Sequence, residues 1–357
     1  MNLLIITGEQ SGSQHSAKFV AKMPTDFQFF GTGGADLADQ GVNLIDNINN
    51  MSCIGMTGVF EKFLYLRRLQ TKIINIAREQ DVKLAILVDY SGFNLSLAKK
   101  LKANNIRVLY FITPKFWAWG KHRLNKLKRY ADHSAVILPF EAKLLTEAGI
   151  TATYVGNPSL ANTYKREKPK ELTLGLIPGS RACEVKRLLA LFINASRIVK
   201  HNVAVKVLLS KSPNLGDEFY AALPDFIELR SNAISVMQES STILIASGTA
   251  TLEAALIGVP MVISYKTDWL SGFIFKICAR TKYVGLPNIL LGNEVAPEVL
   301  QENANPENLA DSILAVMNNM KYQEQEFAKI HKLLCTKENF AHNLVSLVLK
   351  ELTLGRK

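Results

Sequence analysis

Cysteine is scarce and scattered. The four residues, Cys53, Cys183, Cys278 and Cys335, form no CxxC pair and no close spacing, which excludes a disulfide framework. Long apolar runs are also missing. The longest candidate, residues 269–279, is broken by Lys276 and falls well short of the roughly 20 residues that span a bilayer. The start of the chain, Met1 to Gly8, has no basic leader and too short an apolar run for a signal peptide. No Walker A sequence occurs. In Gly31-Thr32-Gly33-Gly34-Ala35-Asp36, Asp36 stands where a dinucleotide fingerprint needs its third glycine, which argues against P-loop NTPases and NAD enzymes. His15, His122 and His133 show no metal-ligand spacing and read as surface or structural residues.

Acidic residues are the minority. Lys and Arg number 42 against 31 Asp and Glu, a net charge of +11. Such an excess suits nucleic acid, an anionic membrane or phosphorylated small substrates. Nucleic acid is the weakest of these, because there is no zinc-finger spacing, no aromatic RNA-binding signature and no basic heptad region. Local basic clusters lie at Arg67, Arg68 and Lys72 and again over residues 121–129.

A length of 357 residues favours two domains over one. Short β-branched, apolar runs alternate with helical patterns throughout. Strands are expected at 3–7, 84–89, 107–112, 135–138 and 153–155, then at 173–177, 203–209, 226–229, 242–246 and 261–265. Helical segments such as 62–80 and 184–200 lie between them. Continuous apolar strands separated by helices predict parallel sheets covered on both faces, an α/β fold of two Rossmann-like halves. The halves echo each other: 3–7 runs into Gly8-Glu9-Gln10-Ser11-Gly12, and 174–177 runs into Pro178-Gly179-Ser180-Arg181. The charged, proline-containing stretch 164–170 reads as a linker. The predicted division is therefore 1–164, 165–337 and a final helical segment, 338–357, packing on one of the domains.

Ligand sites of open α/β sheets lie at the carboxyl ends of their strands, so the loops there matter most. Pro178-Gly179-Ser180-Arg181 and Ser247-Gly248-Thr249-Ala250-Thr251-Leu252-Glu253 both follow apolar strands and open helices. Small residues there let amides approach a diphosphate, the helix start favours its charge, and Arg181 can fork onto a phosphate. Glu253 is placed to accept ribose hydroxyls. For either motif alone a tight turn with a helix-start carboxylate is the favoured reading; two in one half move the balance to diphosphate binding. Asp89 ends an otherwise uncharged strand and is a candidate general base, with helix capping an even alternative. Glu9 has the same ambiguity.

The acceptor side is sought in residues 51–69, where Met56, Phe60 and Phe63 share a segment with Arg67 and Arg68. An apolar surface edged with arginines suits an acyl chain with an anionic headgroup, or a membrane interface; an ordinary amphipathic helix is the plain alternative. Trp117 and Trp119, followed by a basic helix, repeat the theme.

Taken in order along the chain, these segments resemble one family, the lipid-A-disaccharide synthases, inverting glycosyltransferases of the GT-B fold. The resemblance runs through Gly8-Glu9-Gln10-Ser11-Gly12, Ile54-Gly55-Met56 with Glu61, Val88-Asp89 with Phe93-Asn94, and Thr113-Pro114-Lys115-Phe116-Trp117-Ala118-Trp119. It continues through Leu138-Pro139-Phe140-Glu141, Pro178-Gly179-Ser180-Arg181 with Glu184-Val185, Ser247 to Glu253, and Tyr283-Val284-Gly285-Leu286-Pro287-Asn288. It implies transfer of 2,3-diacylglucosamine from UDP to the 6′-hydroxyl of 2,3-diacylglucosamine-1-phosphate, with no metal or other cofactor. Asp89 would be the base or adjacent to it, Glu9 would lie near the acceptor, Arg181 at the donor diphosphate and Asn288 in the cleft. The implied setting is the cytoplasm, peripherally at the inner-membrane surface; a homodimer is compatible with the sequence. Three positions depart from the family pattern. Ser13 and Gly92 stand where it carries aspartates, and Asn157 replaces a histidine. These departures leave open a divergent or inactive copy, or a GT-B enzyme for another acceptor.

Overall fold

The computed structural model describes residues 1–52, 59–116, 121–161, 166, 169–212, 215–266 and 282–354. The chain divides into two compact units, Met1–Pro158 with Leu334–Lys357, and Ser159–Leu333.

The first unit is built on seven parallel strands: β1 (Asn2–Ile6), β2 (Gln28–Gly33), β3 (Asn43–Asn47), β4 (Leu84–Val88), β5 (Arg107–Phe111), β6 (His133–Val136) and β7 (Ala152–Tyr154). Their order is β3-β2-β1-β4-β5-β6-β7. The second unit has six: β8 (Thr173–Ile177), β9 (Lys206–Ser210), β10 (Ile227–Arg230), β11 (Thr242–Ala246), β12 (Met261–Tyr265) and β13 (Glu298–Leu300), ordered β10-β9-β8-β11-β12-β13. Every strand pair is parallel. Two doubly wound sheets are thus present, as the alternation of apolar runs and helices predicts.

The strand sequences explain this arrangement. β4, β8 and β11 are buried at every residue, because successive side chains point to opposite faces and both faces are covered. In β1, Leu4 and Ile6 enter one core while Leu3 and Ile5 enter the other. The helices Val59–Glu79, Ser91–Ala103 and Lys121–Tyr130 lie against the first of these cores. Helix Gln10–Val20 and the final helix Phe340–Leu354 cover the other. The final helix stacks Phe340 on Phe111 at a centroid distance of 6.4 Å. Its buried Glu351 meets Arg107 at 2.5 Å and His133 Nδ1 at 2.9 Å.

Three strands lie outside the predicted set: β2, β3 and β13. β2 contains Gly31 and Gly33, which are weak strand formers. Gly31 is required there because a Cβ would collide with the Ile5 carbonyl of the neighbouring strand.

Candidate active site

In the first unit the strand order reverses direction between β1 and β4, which pair side by side with Ile5 opposite Ile86. The chain leaves these two strands toward opposite edges, opening the crevice in which doubly wound sheets bind ligands. Glu9 follows β1 and is the N-cap of helix Gln10–Val20; Asp89 follows β4, just before helix Ser91–Ala103. Neither helix start is closed by a side-chain cap. Asp89 is half-buried, and burial, then the charge of Glu9, pushes its carboxyl up to about 6 against the opposing pull of Lys115 and Arg123. The two carboxylates named from the sequence therefore interact. The sequence did not single out Lys115 or Arg123 as members of this group, because nothing in their spacing connects them to Asp89.

Strain gathers at the same place. Asp89, Tyr90 and Ile112, at the ends of adjacent strands, have φ of 45°, 41° and 57°. Left-handed backbone at non-glycine residues costs about 1–2 kcal/mol each and concentrates at functional sites. Gly8 answers Tyr90: a Cβ at position 8 would fall on the Tyr90 ring.

The three residues read from the sequence as departures, Ser13, Gly92 and Asn157, have definite surroundings. Ser13 is buried and its hydroxyl accepts from the Gly34 amide at 2.8 Å. Asn157 is buried and donates to the Ile137 carbonyl at 3.0 Å. Gly92, in the first turn of its helix, is exposed, and a Cβ there would meet nothing within 4 Å. Gly92→Asp is accordingly expected to stabilise the protein by about 1 kcal/mol in urea unfolding, through lost chain entropy and a favourable helix-start charge. An unchanged or lower midpoint would mean that this turn is not free to accept a side chain.

The apolar and basic segment divides. Leu69, Ile73, Ile74 and Ala77 of helix Val59–Glu79 face the core. Phe63 and Leu64 remain 52% and 36% exposed, and the Arg67 guanidinium lies 4.9 Å from the Phe63 ring centre. Arg68 is exposed. Met56, Trp117 and Trp119 lie outside the described residues, as does the side chain of Phe60.

In the second unit the order reverses between β8 and β11, with Ile177 opposite Ile245. The loops predicted for diphosphate follow these two strands, so both motifs share one switch point. Gly179 has φ of 112° and opens helix Ala182–Asn202. The Glu184 carboxylate accepts from the Ser180 and Arg181 amides, each at 3.3 Å, and pairs with the Arg181 guanidinium at 3.3 Å. Helix Ala250–Ile257 begins at Thr249 with no side-chain cap; the Thr251, Leu252 and Glu253 amides bond back to the Gly248 and Thr249 carbonyls at 3.0–3.4 Å. Gly248 and Thr249 are exposed, Glu253 is half-buried, and burial raises the Glu253 carboxyl above its ordinary value. Ser247 Oγ donates to the Val284 carbonyl at 3.2 Å.

Asn288 is fully buried and committed. Its Nδ2 donates to the Ala296 carbonyl and Glu298 Oε1, and its Oδ1 accepts from the Val295 and Ala296 amides. Glu298 in turn accepts from the Val284 and Gly285 amides at 2.9 Å. Asn288 therefore has no hydrogen-bonding group left for a ligand and instead braces the loop behind Ser247. Among the described residues, no group of three or more His, Cys, Asp and Glu could hold a metal ion.

The lipid-A-disaccharide synthetase family matches residues 3–352. The synthase of Syntrophus aciditrophicus is 37% identical over 339 residues, covering 88% of each chain, and that of Nitrosococcus oceani is 32% identical over 376, covering 99% and 97%. The chain belongs to the lipid-A-disaccharide synthase family. It is thus a glycosyltransferase, and the fold agrees. The glycotransferase of kitacinnamycin superposes with a TM-score of 0.67 at 11% identity, covering 98% of this chain and 99% of its own. The UDP-GlcNAc 2-epimerase from Neisseria meningitidis gives 0.59 at 11%, covering 99% and 100%. These neighbours establish the GT-B arrangement of two Rossmann-like sheets.

Proposed function

We propose that the enzyme transfers 2,3-diacylglucosamine from UDP to the 6′-hydroxyl of 2,3-diacylglucosamine-1-phosphate. Asp89 takes the hydroxyl proton, the 6′ oxygen attacks the anomeric carbon, and the bond to UDP breaks with its electron pair leaving on the diphosphate. Inversion gives the β(1→6) disaccharide. The observation that carries this reading is Asp89 itself: a half-buried carboxylate at a switch point, beside Glu9, raised to about 6. A base of that strength is ionised at neutral pH and still strong enough to accept a proton in the transition state. Glu9 keeps Asp89 basic by repulsion and lies near the acceptor. In the second unit, Gly179, Ser180, Arg181, Ser247, Gly248 and Thr249 take the diphosphate, and Glu253 the ribose. Asn288 acts through the loop it braces. The test mixes the two acylated substrates in detergent and follows disaccharide phosphate and UDP by mass spectrometry, with Asp89→Asn alongside.

A second reading, a silent copy that holds UDP-sugar, is motivated by Ser13, Gly92 and Asn157. UDP binding without product from any acylated donor would favour it.

The membrane partner follows from charge. Helices Val59–Glu79, Ser91–Ala103 and Lys121–Tyr130 contain thirteen Lys and Arg and two Asp and Glu, so the rest of the chain is balanced at 29 of each. They lie on one face of the first sheet and include the exposed Phe63 and Leu64. Among the described residues no helix is long and apolar enough to cross a membrane. We read this face as a peripheral contact for an anionic lipid surface. Sedimentation with vesicles containing phosphatidylglycerol should show binding that falls with salt. Arg67→Glu with Arg68→Glu should weaken it at least thirtyfold, since each basic residue near such a surface contributes about 1 kcal/mol. Equal binding to neutral vesicles would overturn the assignment.

A further inference from the structure

β4 and β5 run in register to Val88 and Phe111, and the Asp89 amide extends the ladder by one bond, to the Phe111 carbonyl at 2.9 Å. There the chain turns left-handed at Asp89 and Tyr90, and the Asp89 carbonyl leaves the ladder. That carbonyl accepts two hydrogen bonds: from the Tyr110 hydroxyl at 2.8 Å and from Asn94 Nδ2 at 2.9 Å. Asn94 Nδ2 also meets the Val88 carbonyl at 3.1 Å.

We infer that Tyr110 is a positioning residue for the Asp89 carboxylate, acting with Asn94 through the Asp89 main-chain carbonyl. The inference rests on the reading of Asp89 as the base. Tyr110 is fully buried in the core that contains Ala85, Leu87, Phe93 and Leu97, where an unpartnered hydroxyl would be costly. Its hydroxyl reaches the one peptide whose conformation aims the reacting side chain. Burial and the Asp89 charge hold the phenol well above its ordinary value, so it remains a donor throughout the working range. Two donors on one carbonyl offset the left-handed backbone, which an aspartate–tyrosine pair does not favour. Without the clamp the peptide can rotate toward ordinary backbone, and the carboxylate moves with it. Displacement by about an ångström is enough to cost one to two orders of magnitude in rate.

The test compares Tyr110→Phe with Tyr154→Phe. Tyr154, on the edge strand β7 with β5 and β6 between it and β4, makes a similar phenol-to-carbonyl bond, to Leu334 at 2.6 Å in the same unit. Tyr110→Phe is expected to lower kcat about tenfold with both KM values within about twofold, the signature of an interaction that matters only in the transition state. The acid limb of its kcat profile should move as the carboxylate shifts relative to Glu9, Lys115 and Arg123. Tyr154→Phe should lose similar thermal stability and leave kcat and the limb alone. Asn94→Asp, which sets an acceptor against the same carbonyl, should reproduce the Tyr110→Phe pattern more strongly. The inference is overturned if the two phenylalanine variants behave alike, or if Tyr110→Phe changes KM rather than kcat. Asp89→Asn is read separately: full activity in that variant removes the base, and the positioning role with it.

Discussion

Asp89→Asn is expected to lower turnover by two to four orders of magnitude, the usual range for a lost general base, while making the protein more stable at pH 7.5. The two effects have one cause. Burial and Glu9 raise the Asp89 carboxyl from its ordinary 3.8 to about 6 in the folded protein. Between those values the folded state holds a proton that the unfolded chain has released. Protonation therefore favours folding: the contribution is complete below pH 3.8 and is lost as pH rises through about 6. At neutral pH the native protein bears a carboxylate that it would be more stable without. Holding the carboxyl at about 6 rather than 3.8 corresponds to about 3 kcal/mol; discounted for partial exposure, the asparagine variant should gain about 2 kcal/mol. Urea unfolding at pH 7.5 and again at pH 4 reads this directly, and the gain should shrink toward zero at the lower pH. The native enzyme should show an acid limb in kcat/KM near pH 6, absent from the residual activity of the variant. A variant that is both active and no more stable would remove Asp89 from the site; one that is inactive and less stable would make it structural.

The parallel sheets were legible because their strands are fully buried and so continuously apolar, as in 84–88, 173–177 and 242–246. β3, with Asn43, Asp46 and Asn47, and the three-residue β13 have no such run. They are strands because a neighbour supplies the ladder, a tertiary cause that leaves little local trace. The loops were legible for a related reason. A strand, a small-residue turn and a helix start must be contiguous, so Pro178 to Arg181 and Ser247 to Thr249 could be read as units. Their placement on adjacent strands, which makes each pair one site, depends on sheet order.

Side-chain roles were less accessible. Asn288 belongs to the family pattern and was expected to face ligand, yet its four hydrogen bonds close on the loop 295–298. Only the fold distinguishes a group that contacts substrate from one that braces the contact. Tyr110 is the converse: inside the apolar run of β5 it reads as core, and only its hydroxyl on the Asp89 carbonyl connects it to the site.

Gly179→Ala should damage donor binding as selectively as Asp89→Asn damages chemistry. At φ of 112° the position lies where an L side chain is strained whatever the space around it. Here the space is also taken, since a Cβ would come within 2.6 Å of Glu184 Oε2. That carboxylate is the acceptor for the Ser180 and Arg181 amides, so pushing it aside releases the turn that presents Arg181. The free protein can relax by letting the loop adopt ordinary backbone, whereas the donor complex cannot. The strain therefore appears as lost affinity, about 2 kcal/mol or roughly thirtyfold in the Kd for UDP. Calorimetric titration with UDP measures it. Two controls fix the interpretation: the pH 6 limb assigned to Asp89 should persist in the residual activity, because it belongs to the other unit, and Arg181→Lys should also weaken UDP, by losing the forked contact while leaving the turn intact. An unchanged UDP affinity in Gly179→Ala would move the diphosphate away from this loop, leaving the uncapped start of helix Ala250–Ile257 as its remaining support.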